Sequence, residues 1–211
     1  MASVMFAVLL AITMKAMITG VWGKMVDDVV SLSSGYIRVH KAGYWNERTI
    51  DNAMADDEHL LNFVSSPIGI SDWSPRLETF SLASTQEKTK GVLIQGIDVV
   101  RENRATGLAQ KVVSGSYLMQ TDQSVIIAEG LASQLKLNVN DTLILLGQGY
   151  HGNLAAGKFP ITGIVHLGVV DLNRSMVWMP METCRKYLSA DGLLTSVSLM
   201  LRDKKSMDAI S

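Results

Sequence analysis

Two stretches decide the fold class: Arg76–Ser84 (RLETFSLAS) and Gly91–Val99 (GVLIQGIDV), joined by the polar loop Thr85–Lys90. Leu77, Thr79 and Ser81 alternate with Phe80 and Leu82, the period of a strand, so the first stretch turns its two sets to opposite faces. Two such runs across a short polar loop predict an antiparallel pair with one face covered. Upstream, Tyr36–His40 is a third, half-buried strand, and Gly43–Glu47 is a turn carrying Tyr44 and Trp45. Thr49–Val64 reads as a helix with Ile50, Met54, Leu61 and Val64 inward and Asn52, Asp56, Asp57 and Glu58 towards water; Ser66-Pro67 ends it. Downstream, the pattern predicts a helix over Asn103–Val113, a buried strand at Ser124–Ala128, and a helix at Glu129–Leu135. Strands follow at Thr142–Leu146, Ile161–Leu167 and Met176–Met179, then a helix from Pro180 to Leu188, a strand at Thr195–Leu201, and a helix beginning at Asp203. This irregular alternation does not fit a doubly wound parallel sheet, and mixed α+β is the class it predicts.

The 211 residues carry 19 basic and 20 acidic side chains, which excludes a strongly basic nucleic-acid binder. With 47% hydrophobic and 18% charged residues, the chain has ample material for a core and does not read as disordered. Its mean hydropathy of +0.20 is high for a soluble domain, and the surplus sits at the front. Met1–Met14 (MASVMFAVLLAITM) has no charge, yet as a helix it reaches only about 21 Å, against about 30 Å for a bilayer core. A signal peptide would need basic residues before the apolar run, and none precede it. A buried core helix and the last part of a transmembrane helix both fit, and we favour the second. Met14, Met17, Ile18, Val21, Met25, Val29 and Val30 continue one apolar stripe to about Leu32, as a stalk or as a surface helix packed on its own domain. Lys15 can snorkel and Trp22 suits an interface.

No catalytic set emerges. Gly147-Gln148-Gly149-Tyr150-His151-Gly152 matches a dinucleotide fingerprint literally, but the helix that should follow is broken by Gly157 and Pro160, so a long hairpin is the better reading. His40, His59, His151 and His166 are scattered, and Asp56-Asp57-Glu58-His59 would point in different directions on a helix, so no metal site is expected. Ser114-Gly115-Ser116 lacks a nucleophile-elbow frame, and Cys184 patterns as a small core residue. The sequence predicts neither an enzyme nor a cofactor.

Gly35–Trp45 (GYIRVHKAGYW), Ser74–Ser84 (SPRLETFSLAS), Gly91–Asp98 (GVLIQGID), Ile126–Asp141 (IIAEGLASQLKLNVND), Gly147–Pro160 (GQGYHGNLAAGKFP) and Asn173–Pro180, in that order, carry a resemblance. The chain resembles the MacB-like periplasmic core domain of FtsX-related ABC-transporter permeases, of the LolC/LolE lipoprotein-releasing type. Asn140 stands where that family usually has Gly. The resemblance implies a truncated transmembrane and stalk helix at 1–32, a mixed-sheet porter-like lobe from 33–100 and 174–211, and an inserted β-rich sabre-like lobe at 101–173. It implies an inner-membrane protein with this domain in the periplasm, coupling cytoplasmic ATP hydrolysis to lipoprotein release or substrate export by mechanotransmission. The implied partners are a cytoplasmic ATP-binding subunit, a second permease subunit, a periplasmic carrier or adaptor protein, and the membrane. Met14, Ile18, Val21, Trp22 and Met25 would belong to the stalk. Gly149, Tyr150, His151, Asn153, Leu154, Lys158 and Phe159 occupy the place of a partner-docking hairpin, or of an ordinary mobile one. A secreted or membrane-anchored binding domain without a transport role is the alternative.

Overall fold

The computed structural model describes residues 5–6, 9–18, 37–44, 49–57, 70–85 and 87–201. The expectations for Val21, Trp22 and Met25, the stalk to Leu32, Leu61 and Val64, and the helix from Asp203 lie outside them.

The antiparallel pair is the centre of the fold. Strand β3 (Ile70–Ser84) pairs with β4 (Thr89–Ile97) from Arg76↔Ile97 to Ser84↔Thr89. The strand starts six residues before Arg76, because β11 (Ser196–Leu201) supplies backbone partners to its first half, reaching across Pro75 to Ile70. From β4 the pairing runs round a closed circuit. Strand β4 lies parallel to β9 (Met176–Pro180), β9 antiparallel to β6 (Val125–Ala128), and β6 parallel to β8 (Leu154–Val165). Strand β8 is antiparallel to β7 (Thr142–Gln148), which returns to Ser81–Ser84 of β3. Six strands thus form a ring, and closure removes the edges that an open sheet would expose. Strand β11 and then β1 (Ile37–Val39) extend the sheet beyond β3, while β5 (Val112–Gly115) extends it beyond β8. A separate two-stranded ribbon pairs β2 (Met54–Ala55) with β10 (Leu193–Leu194).

Period-two alternation decides which side chains fill the ring. Leu77, Ala83, Val92, Ile94, Leu143, Leu145, Ala155, Phe159, Val177 and Met179 share its inward face and are buried. Helix α4 (Met181–Leu188) lies against that face, touching β3, β4, β8 and β9 through Cys184, Tyr187 and Leu188. Helices α1 (Val99–Thr106), α2 (Glu129–Leu135) and α3 (Val170–Asn173) cover parts of the outside.

The predicted strands and helices stand with shifted ends, and two differ in kind. The helix expected at Asn103–Val113 instead starts at Val99, because the Asp98 carboxylate accepts from the Val100 and Arg101 amides at 3.1 and 3.0 Å. It stops at Gly107, which takes a left-handed conformation (φ 65°), and Val112–Gly115 pairs with β8 as a strand. The helix expected from Thr49 is a single 3₁₀ turn at Ile50–Asn52, followed by β2. Strand β10 offers β2 backbone partners, and the Asp56 amide donates to the Gly192 carbonyl at 2.8 Å. Tertiary pairing here overrides the helical spacing. The outward direction of Asp56 and the inward one of Ile50 hold nonetheless.

Residues 9–18 are helical and exposed along their whole length, with Leu9, Leu10, Ile12, Met14, Met17 and Ile18 among the exposed apolar side chains. No helix among the described residues is long and apolar enough to cross a membrane.

Candidate docking surface

Gly147–Pro160 forms a hairpin: β7 and β8 pair from Thr142↔Pro160 to Gln148↔Leu154, leaving residues 149–153 as the loop. A strand follows the glycines where a dinucleotide site needs a helix, so the fingerprint has no structural context. The loop is closed by the Gly149 amide donating to the Asn153 carbonyl at 2.7 Å and, less tightly, by the Asn153 amide donating to Tyr150 at 3.3 Å. It is also anchored to the rest of the domain. The His151 amide donates to the Asp51 carboxylate at 2.7 Å, which ties the tip to the 3₁₀ turn at Ile50–Asn52. A Cβ at Gly149 would lie 2.6 Å from the Leu188 carbonyl oxygen, so only glycine lets the loop approach the end of α4 this closely.

The seven hairpin residues separate into two groups. Gly149 and Phe159 are buried, and the Phe159 ring meets Tyr187 edge-on at 5.6 Å inside the ring. Tyr150 is half-buried against the core and touches the His151 ring at a centroid distance of 3.9 Å. His151, Asn153, Leu154 and Lys158 are exposed, and they alone of the seven present whole side chains to solvent.

The register reveals a feature that linear spacing does not. Leu82 sits beside Leu146, and Leu154 stands two residues further along the β7–β8 pair, opposite Gln148. With Phe80 on the same face of β3, these make one outward strip in which Phe80 is 66%, Leu82 50%, Leu146 39% and Leu154 82% exposed. Alternation marks Phe80 and Leu82 as facing away from Leu77, but only the ring closure brings them next to Leu146 and Leu154. Contiguous exposed apolar side chains of this kind mark interaction surfaces.

Towards β9, the outward face of the ring is polar and covered. Trp178 Nε1 donates to Gln95 Oε1 at 2.9 Å, Gln95 Nε2 donates to Glu78 Oε1 at 2.7 Å, and Arg38 Nη1 donates to Glu78 Oε2 at 3.1 Å. Burial presses the Arg38 guanidinium below its ordinary value, against the pull of Glu78. Among the described residues no three His, Cys, Asp or Glu side chains gather as metal ligands.

The domain is thus a closed ring with an anchored hairpin and an apolar outer strip. Its fold is that of extracytoplasmic domains of ABC-type transporters. The periplasmic region of MacB from Actinobacillus actinomycetemcomitans superimposes with a TM-score of 0.55 at 15% identity, over 88% of this chain and 83% of that one. The extracellular domain of the ABC-type transporter YknZ from Gram-positive bacteria gives 0.54 at 13% identity, over 74% and 78%. The chain belongs to the MacB-like periplasmic core domain family, the periplasmic domain of ABC-transporter permeases, whose family model matches residues 1–211. It is also 27% identical over 157 residues to the lipoprotein-releasing system transmembrane protein LolC of Xylella fastidiosa (strain 9a5c). That match takes in 71% of this chain and 38% of the relative, so the chain spans well under half of the protein it resembles.

Proposed function

We propose that this chain transmits movement across the inner membrane, with its own domain in the periplasm and no chemistry of its own. ATP hydrolysis in a separate cytoplasmic subunit would drive membrane helices of the permease, paired with a second permease subunit. The periplasmic domain would respond by releasing a lipoprotein or pushing another cargo towards a periplasmic carrier or adaptor that docks on the hairpin.

The observation that carries this reading is the pairing of β1 with β11. They are the first and last described strands, and they run antiparallel with Ile37 opposite Leu199. The chain therefore comes into the sheet and leaves it at the same end, on neighbouring strands. Two membrane connections at that end would emerge side by side, and a shift of either would load β11 and through it β3. The exposed apolar helix at residues 9–18 lies upstream of β1, where a membrane connection is required.

Reconstitution of the full-length permease with its ATP-binding subunit in proteoliposomes tests the reading. A photocrosslinker at His151 or Leu154 reports on docking. The expected result is ATP-dependent release of cargo and an adduct with a periplasmic carrier or adaptor. Folded, membrane-inserted protein that binds a partner without any ATP dependence would favour a membrane-anchored binding domain and overturn the transport reading.

A further inference from the structure

Strand β1 has three residues and, among the described residues, pairs with β11 on one side only, so these backbone bonds alone hold it weakly. Side chains add further ties. His40, just past its end, donates from Nδ1 to the Thr195 carbonyl at 3.0 Å and stacks on Tyr44 with ring centroids 5.0 Å apart. Arg38 reaches over β11 to Glu78 on β3, and Glu78 is in turn held by Gln95 on β4 and, through it, by Trp178 on β9. Ser196 Oγ of β11 donates to the same carboxylate oxygen at 3.5 Å. A single line of hydrogen bonds thus runs from the incoming strand across the ring wall.

The space around this line is unusual. A cavity of about 100 Å³ lies between Arg38, Tyr44, Glu78, Phe80 and Leu93. A second, of about 80 Å³, lies on the side of Gln95, Trp178 and Leu172, and Arg38, Glu78 and Leu93 line both. Each is large enough to admit water. The guanidinium therefore has somewhere to go when it lets go of Glu78. Glu78 would keep its bond from Gln95, which lowers the cost of parting relative to a carboxylate stranded without a donor. A second ion pair on β3, Arg76–Glu102, is 0% and 1% exposed and borders neither cavity.

We propose that the Arg38–Glu78 pair is a latch that fastens β1 to the ring when closed and frees it to move when open. The proposal rests on the reading that motion reaches the domain through its ends. It makes Arg38 and Glu78 positioning residues and identifies the two cavities as the room in which the latch opens.

Hydrogen exchange on the full-length permease in nanodiscs tests the latch directly. Arg38→Met should speed exchange at residues 37–39 and 197–199 by about tenfold or more, while β6 and β8 keep wild-type rates. Glu78→Gln should act alike, the double variant should add little, and Arg38→Lys should fall between. Wild-type exchange in β1, equal acceleration throughout the ring, or additive effects would each overturn the latch. In proteoliposomes, Arg38→Met should reduce ATP-driven cargo release while ATP hydrolysis continues, and unchanged release would also overturn it. A wild-type protein that shows no ATP-dependent release would instead overturn the transport reading, and the exchange data would still decide the latch.

Discussion

Arg76 on β3 and Glu102 on α1 form a two-pronged ion pair in the interior, with Nε–Oε2 at 3.1 Å and Nη2–Oε1 at 2.7 Å. Ser74 Oγ donates to Oε2 as well, at 2.7 Å. Burial opposes the Arg76 charge, but Glu102 outweighs it, with help from Glu78, and the guanidinium sits above its ordinary value. A buried charge that loses its partner is costly, whereas replacing both partners by apolar groups is often neutral. Arg76→Met or Glu102→Leu alone should therefore destabilise the domain by about 3–5 kcal/mol in urea unfolding. The double variant should recover most of that loss. A double variant as unstable as the sum of the two would show that the pair is not one unit.

Gly96 on β4 and Cys184 on α4 set the spacing between helix and ring. A Cβ built at Gly96 would lie 2.4 Å from the Cys184 Cβ and 2.7 Å from its Sγ. Gly96→Ala should force the helix off the sheet and lower stability by about 1–3 kcal/mol. Cys184→Ala should not rescue it, since alanine retains the offending Cβ. Thermal melts of the single and double variants check both statements.

Burial pushes the Cys184 thiol from 9.0 up to about 12, against weaker opposing effects from the Gly96 backbone and Arg185. The folded state thus keeps its proton longer than the unfolded chain does. Stability from this group is present below pH 9, where both states are protonated, and is lost as the unfolded thiol ionises between pH 9 and about 12. The wild-type protein should lose about 1.4 kcal/mol per pH unit more than Cys184→Ala across that window. Urea titrations from pH 8 to 11 measure the difference. Parallel pH curves for the two proteins would mean that the thiol is reached by water.

Strand period and apolar alternation made the β3–β4 pair, β6, β9 and α4 legible in the sequence, because each is defined by contacts that its own spacing encodes. The ring was not legible. Its closure depends on β7 meeting Ser81–Ser84, residues separated by some sixty positions, and no local period records that. The same long-range pairing turned the expected helix after Thr49 into β2. Linear spacing assigns no partner to Arg76, Arg101 or Arg104, yet they meet Glu102, the Trp73 ring at 3.9 Å and Asp72 at 3.1 Å once the strands are in place. The hairpin could be read from its glycines, whereas the strip shared by Phe80 and Leu146 needed the register.

The hairpin separates folding from docking residue by residue. Replacing the whole of Gly147–Pro160 by a short turn would remove Ala155 and Phe159 from the inward face, so the domain should unfold whatever the loop does. Phe159→Ala alone leaves a hole beside Tyr187 and should cost about 3–5 kcal/mol. Leu154, 82% exposed on the outer strip, contributes little to the core. Leu154→Ser should change stability by no more than about 0.5 kcal/mol. If the strip docks a periplasmic partner, Leu154→Ser together with Phe80→Ser should abolish crosslinking from His151 while the melting curve stays in place. Full crosslinking in that double variant would mean that the partner binds elsewhere, and a collapsed melting curve would mean that the strip is covered by the chain itself.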